Sequence, residues 1–443
     1  MVAGLFLLAL VAPLPLPLHD EPFVLETSAE VTAVVTASCA GCDWGRRGYE
    51  AAVLEVRVDG RYTQHLFLTR GEEGAEYGVA LGRLARGTHR LTVSVDPRLS
   101  ARHARQAKVG GVAVTAALQG SADERILAHA PVLMARANTL GRFSDVPLLL
   151  WVETDDLGDG RTRLRYSVVF SNEDGGTPPD RLMATWGRLT DIEFVYDAVV
   201  DAAGQVLTAR YQGPEHQVLD FAGASEGSHP LLHVVTDNNM VSDRGPITVR
   251  VAPAPIPFDL ASVSREAVMD AHPWTYAVSA REVRREGRVS TRARPGSRKV
   301  PDPRLFLTLE ACAATEDATV AFSAGVRARD LGIRWFDSDA GLPSLRIARR
   351  ATEFPNGCFR GAVALPVGTR AEDVVALRLR AYTKRPGKDE PPLARGEGRV
   401  RLERVNTVFL MGSDDRPGPS LFAWRGDVPI APEGPPFELR IRD

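Results

Sequence analysis

The chain has 443 residues, more than one ordinary core accommodates, so two or three domains are expected. Hydrophobic residues make up 44% and charged residues 25%, the proportions of a globular protein. A formal net charge of -2 provides no global positive field and speaks against nucleic acid as the main partner.

Residues 1–20 open with an uncharged apolar run from Val2 to Leu18, interrupted by Pro13, Pro15 and Pro17. The run is short for a membrane span and reads as a secretory signal peptide, which predicts an exported protein, periplasmic or extracellular. No later segment is long and apolar enough to form a transmembrane helix. Four cysteines, Cys39, Cys42, Cys312 and Cys358, suit disulfides in an exported chain. Three connectivities are open, and Cys39–Cys42 with Cys312–Cys358 is the simplest.

Residues 22–120 read as an N-terminal β-sandwich, immunoglobulin-like in pattern. Strands are expected over 31–36, 53–58, 62–68, 89–95 and 112–118, with Asp59-Gly60 as a hairpin turn. Residues 121–130 suit a short helix or a linker. A central β-sandwich is expected over 130–257, ending in the proline-alternating VAPAPIPFD. Residues 258–300 read as a connector with a short helix stopped at Pro273, then a stretch from Thr275 that begins as a helix or strand and ends as a basic loop. That loop carries Arg281, Arg284, Arg285, Arg288, Arg292, Arg294, Arg298 and Lys299, and a solvated face is favoured over an anion-binding patch. Residues 301–443 return to β patterning as a C-terminal sandwich. The fold class is therefore all-β, multi-domain β-sandwiches with a short helical and basic connector.

Candidate chemistry concentrates in the central region. If residues 191–195 are a strand, Asp191 and Glu193 share one face and Ile192 points to the other. Two adjacent carboxylates repel unless a cation, an arginine or a proton neutralises them, and calcium or magnesium suits such oxygens. His216, His229 and His233 cluster in sequence, and His233, Asp237 and Asn239 form a second polar group. The acidic stretches 153–160 and 171–177 are better explained as hairpin turns than as calcium loops. No nucleophile elbow and no phosphate-cradling glycine loop is present.

Gly187 to Glu193 resembles the heptapeptide Gly-His-Arg-His-Asp-Trp-Glu of the necrosis- and ethylene-inducing-like secreted proteins, and the related strand of the vacuolar-sorting-like family. Arg188 and Thr190 stand where that heptapeptide has its histidines. His216 falls at the distance of a downstream histidine in the pattern, and the stretch from His229 looks like the His-Pro-led strand of those proteins. The resemblance implies a β-sandwich with a divalent cation at Asp191, Glu193 and His216.

The leading expectation is a binding protein that meets a glycan or cell-surface ligand. The alternatives are a metal-dependent hydrolase with His216 as general base and a purely structural envelope protein. Whether the chain is an enzyme stays open at this stage.

Overall fold

The computed structural model describes residues 16–173, 175–328, 332–348, 356–386 and 391–442. It is an all-β, multi-domain protein built of mostly antiparallel sheets with a few helices between them. Most of the expected signal peptide lies outside the described residues. The strand His19–Leu25 begins inside the expected range, and its Asp20 already pairs with Arg90. Among the described residues no helix is long and apolar enough to cross a membrane.

The first sandwich packs two sheets. One runs, in spatial order, His19–Leu25, Gly87–Val95, Val53–Val58 and Arg61–Phe67; the other runs Ala75–Leu84, Ala29–Ala40 and Gln106–Ala116. Alternation dictates the facing: Val31, Ala33, Val35 and Ala37 are buried along Ala29–Ala40 and meet Leu54, Val56 and Val93 in one core. Asp59 and Gly60 join two of the strands with positive φ of 52° and 75°, the backbone that a tight hairpin turn requires.

The central region carries a six-stranded sheet ordered Val218–Asp220, Val206–Gln212, Ile192–Val200, Arg161–Phe170, Pro147–Gly158 and Ile256–Pro257. A second, shorter sheet is built around His229–Val234 and Val132–Met134. The helix Pro179–Trp186 follows the loop after Arg161–Phe170 and ends at Gly187, whose φ is 63°. A side chain at Gly187 would meet Arg360 Cγ at 2.9 Å, so glycine serves both the left-handed cap and the close packing. Leu182 and Trp186 of this helix belong to the core of the last sandwich, alongside Leu307, Leu309 and Phe322.

That last sandwich pairs the sheet Cys358–Ala364, Phe306–Glu316, Arg399–Leu410 and Trp424–Ile430 with the sheet Gly332–Asp337, Ala318–Ala328, Val374–Thr383 and Phe437–Arg440. Both disulfides take the simplest pairing, Cys39–Cys42 and Cys312–Cys358, and the latter joins residues that face each other across two strands.

The connector is a solvated basic loop only in part: Arg281, Arg292, Arg294, Arg298 and Lys299 are exposed, whereas its first half is a packed helix. Residues Trp274–Arg285 form a helix with eight buried positions, among them Tyr276, Ala280 and Val283. Glu282 accepts from Trp44 Nε1 at 3.0 Å, and Arg285 donates to the Trp44 carbonyl at 2.9 Å, tying the helix to the first sandwich. Arg284 binds Asp302 and Asp415, and Arg288 donates to the Glu173 carbonyl. These arginines are internal struts. Of the two expected forms for the start of this stretch, helix and strand, the apolar stripe at helical spacing selects the helix.

Candidate functional site

Strand alternation sets the floor of a cavity. Ile192 is fully buried in an apolar cluster with Leu149, Val169 and Met269, so Asp191 and Glu193 point to the opposite face. The neighbouring strand Val206–Gln212 ends with Gln212 on this face. It is followed by the turn Pro214–His216, in which Glu215 and His216 adopt positive φ of 60° and 58°. The loop before the helix Pro179–Trp186 adds Glu173, the helix adds Arg181 and Trp186, and Arg188 and Arg265 close the far side. The space enclosed is about 400 Å³, within the size range of small-ligand sites.

Arginines, amides and carboxylates interleave around it. Gln212 Nε2 donates to Glu193 Oε2 at 2.6 Å and lies 2.8 Å from His216 Nδ1. Asn239 Nδ2 donates to Asp191 Oδ2 at 3.0 Å, and Arg188 stands 3.9 Å from Asp191 Oδ1. Arg188 also donates to Glu266 at 3.1 Å. Thr177 N donates to Glu173 Oε1 at 2.6 Å. The Trp186 ring is flanked by the guanidinium carbons of Arg188 and Arg181, at 5.7 and 5.9 Å from its centroid.

Burial dominates the electrostatics. It pushes Glu173 up to about 8, helped by the neighbouring Asp191 charge and opposed by the hydrogen bond from Thr177. Burial also raises Asp191, against the pull of Arg188 and Asn239. Glu266 shows the reverse balance: burial raises it, but Arg188, Arg265 and Arg360 together hold it below the usual carboxylate range.

Asp191, Glu193 and His216 therefore line one cavity. Asp191 and Glu193 are buried and His216 is exposed at the mouth. Their ligand atoms do not gather within 4.8 Å of one another; among the described residues, a group of at least three that does so is Glu55, His65 and Asp96. The second polar group does not assemble. His233 is buried against the Pro246 carbonyl, Asp237 pairs with Arg136, and only Asn239 reaches the cavity's acids. Glu173, Arg265, Trp186 and Gln212 were not among the site residues expected from the sequence, and Arg188 entered only as the residue at a motif histidine position. Trp186 and Arg188 flank the Gly187 of the motif, and Gln212 ends a strand four residues before His216, so both signals were local. Glu173 sits in a stretch read as a turn, and Arg265 arrives from the connector.

No protein-family model and no curated protein matches the chain. The resemblance to the necrosis- and ethylene-inducing-like and vacuolar-sorting-like families thus rests on the short motif alone. Among solved structures, the chain is similar to the C-terminal domain of EclA, described as a sugar-binding protein, at 18% identity over 22% of this chain and 66% of that one, with a TM-score of 0.18. It is also similar to a lectin from Pleurotus ostreatus solved with GalNAc, at 10% identity over 85% of this chain and 80% of that one, with a TM-score of 0.12. Superpositions this loose carry no argument about fold or ligand.

Proposed function

We propose that the protein is a binding protein whose central cavity receives a small polyhydroxylated ligand of the carbohydrate class, presented on a glycan or cell surface outside the cytoplasm. The observation that carries this reading is the interleaving of fixed acceptors and fixed donors beside one indole ring. Asp191 and Glu193 only accept when ionised, Arg188 and Arg265 only donate, and Gln212 and Asn238 do both. A sugar hydroxyl donates and accepts at once, so neighbouring hydroxyls satisfy both kinds of group, while Trp186 offers an apolar surface to ring C–H groups. Two disulfides support an oxidising compartment. The reading needs no calcium or magnesium, because Arg188 and Asn239 already offset Asp191, and the Gln212 amide occupies the gap between Glu193 and His216.

The test is a glycan array followed by calorimetric titration, with wild type beside Trp186→Ala and Arg265→Ala. Saturable binding by wild type that falls by roughly tenfold or more in either variant is expected. A folded wild-type protein that leaves the array blank rejects the reading.

One observation favours a second reading, hydrolysis of a glycosidic bond in the same cavity. Burial pushes Glu173 up to about 8, toward the protonated form that a general acid needs, and Asp191 and Glu193 line the same cavity. This version uses the acids in place of a metal and His216. It predicts release of reducing ends by wild type and none by Glu173→Gln.

A further inference from the structure

We propose that Glu55, His65 and Asp96 hold one divalent cation of the zinc class on the first sandwich, a site separate from the central cavity. Three adjacent strands deliver the residues. Glu55 on Val53–Val58 and His65 on Arg61–Phe67 are register partners, so their side chains stand on one face of the sheet. Asp96 follows directly after Gly87–Val95, which pairs with Val53–Val58 on its other side, and Asp96 N donates to the Val53 carbonyl at 2.8 Å.

The donor atoms converge. His65 Nε2 lies 3.4 Å from Asp96 Oδ2 and 3.9 Å from Glu55 Oε2. Ligand atoms held about 2.0–2.2 Å from a tetrahedral zinc ion stand roughly 3.3–3.6 Å apart, so one small ion fits between them with minor adjustment. A second observation points to a ligand. His65 is only 6% exposed, and its Nε2 is a buried nitrogen with no hydrogen-bond partner, aimed at two carboxylates. A buried ring nitrogen left unsatisfied is costly, and a cation would engage it together with both acids. The other ring nitrogen is already oriented: Nδ1 lies 2.6 Å from the Tyr62 hydroxyl, which accepts from Arg250 N at 3.1 Å. Such an outer partner is what fixes the ring of a metal-binding histidine.

Two arginines share these acids. Arg57 binds Glu55 Oε1, the oxygen turned away from His65, and Arg98 lies 3.1 Å from Asp96 Oδ2. The Arg98 side chain is 82% exposed, so it can leave Asp96 for solvent when an ion arrives. An imidazole with two carboxylates suits zinc better than calcium or magnesium, which take oxygen ligands.

The experiment is titration of the chelator-treated full chain with zinc, and separately with cobalt, followed by metal analysis after gel filtration. One retained zinc ion per chain and a visible absorption band from bound cobalt are expected, both lost in His65→Ala and in Glu55→Gln. Circular dichroism confirms that each variant is folded. Asp191→Asn/Glu193→Gln keeps full stoichiometry, which separates this site from the central cavity. Wild-type protein that retains no zinc, or folded His65→Ala that retains as much as wild type, overturns the proposal.

Discussion

Glu193 and His216 share one amide: the Gln212 side chain donates to Glu193 at 2.6 Å and reaches His216 Nδ1 at 2.8 Å. The carboxylate is buried and the imidazole exposed, so Gln212 couples the floor of the cavity to its mouth. Replacing Gln212 with Leu takes this donor from a buried carboxylate, and a loss of about 1–3 kcal/mol is expected in urea unfolding. Combining it with Glu193→Leu recovers most of that loss, because the carboxylate that lost its donor is then gone. Strictly additive losses would show that the two side chains are energetically independent.

Glu173 makes stability depend on pH in a definite direction. Its carboxyl is raised from the ordinary 4.5 to about 8 by burial. Between those values the folded state keeps a proton that the unfolded state releases, so stability falls as pH rises through this window and levels off above it. Glu282, raised to about 7 by burial, slopes the same way. Glu173→Gln mimics the protonated form. Melting scans from pH 4 to 9 are expected to show the variant matching wild type below pH 4.5 and exceeding it by a margin that grows up to about pH 8. Parallel curves across the range would mean that Glu173 ionises as freely in the folded protein as in the unfolded chain.

The hairpins at Asp59-Gly60 and Asp159-Gly160 are legible in the sequence because positive φ falls on residues that tolerate it. So is the facing of Asp191 and Glu193, since alternation is a local property of a strand. The strand His19–Leu25 escapes notice because it contains Pro22, which is tolerated only because this is an edge strand. Gly78 and Gly82 likewise dilute the β signal of Ala75–Leu84. The rest of the site is long-range. Arg188 meets Glu266 across 78 residues, and Asn239 meets Asp191 across 48. No spacing rule announces such pairs, since packing of separate elements creates them.

Arg360 is the corresponding prediction for the last sandwich. It is fully buried, and its guanidinium binds Asp270 at 2.6 and 2.8 Å, Glu310 at 2.5 Å and the Tyr276 hydroxyl at 2.7 Å. Arg360→Met leaves the buried Glu310 and the partly exposed Asp270 without their cation, and a cost of about 3–5 kcal/mol is expected by denaturant unfolding. Arg360→Lys rescues little, because an ammonium cannot reproduce the planar fork. Near-complete rescue by lysine would show that charge alone is what the site requires.

The two disulfides are expected to contribute unequally. Cys39 and Cys42 are separated by 3 positions, whereas Cys312 and Cys358 are separated by 46. Cross-linking limits the unfolded chain more as the enclosed loop lengthens, and for the longer loop the entropic stabilisation is roughly 4 kcal/mol. Cys312→Ala/Cys358→Ala should therefore lower the melting temperature much more than Cys39→Ala/Cys42→Ala. Adding reductant to the latter variant should reproduce most of the former's loss. The shorter bridge closes a turn at the end of the strand Ala29–Ala40, where Cys39 N already donates to the Gly71 carbonyl and Cys42 N to the Cys39 carbonyl. Backbone hydrogen bonds hold that turn without the sulfurs, so a larger loss on removing the short bridge would contradict the loop-entropy account for this fold.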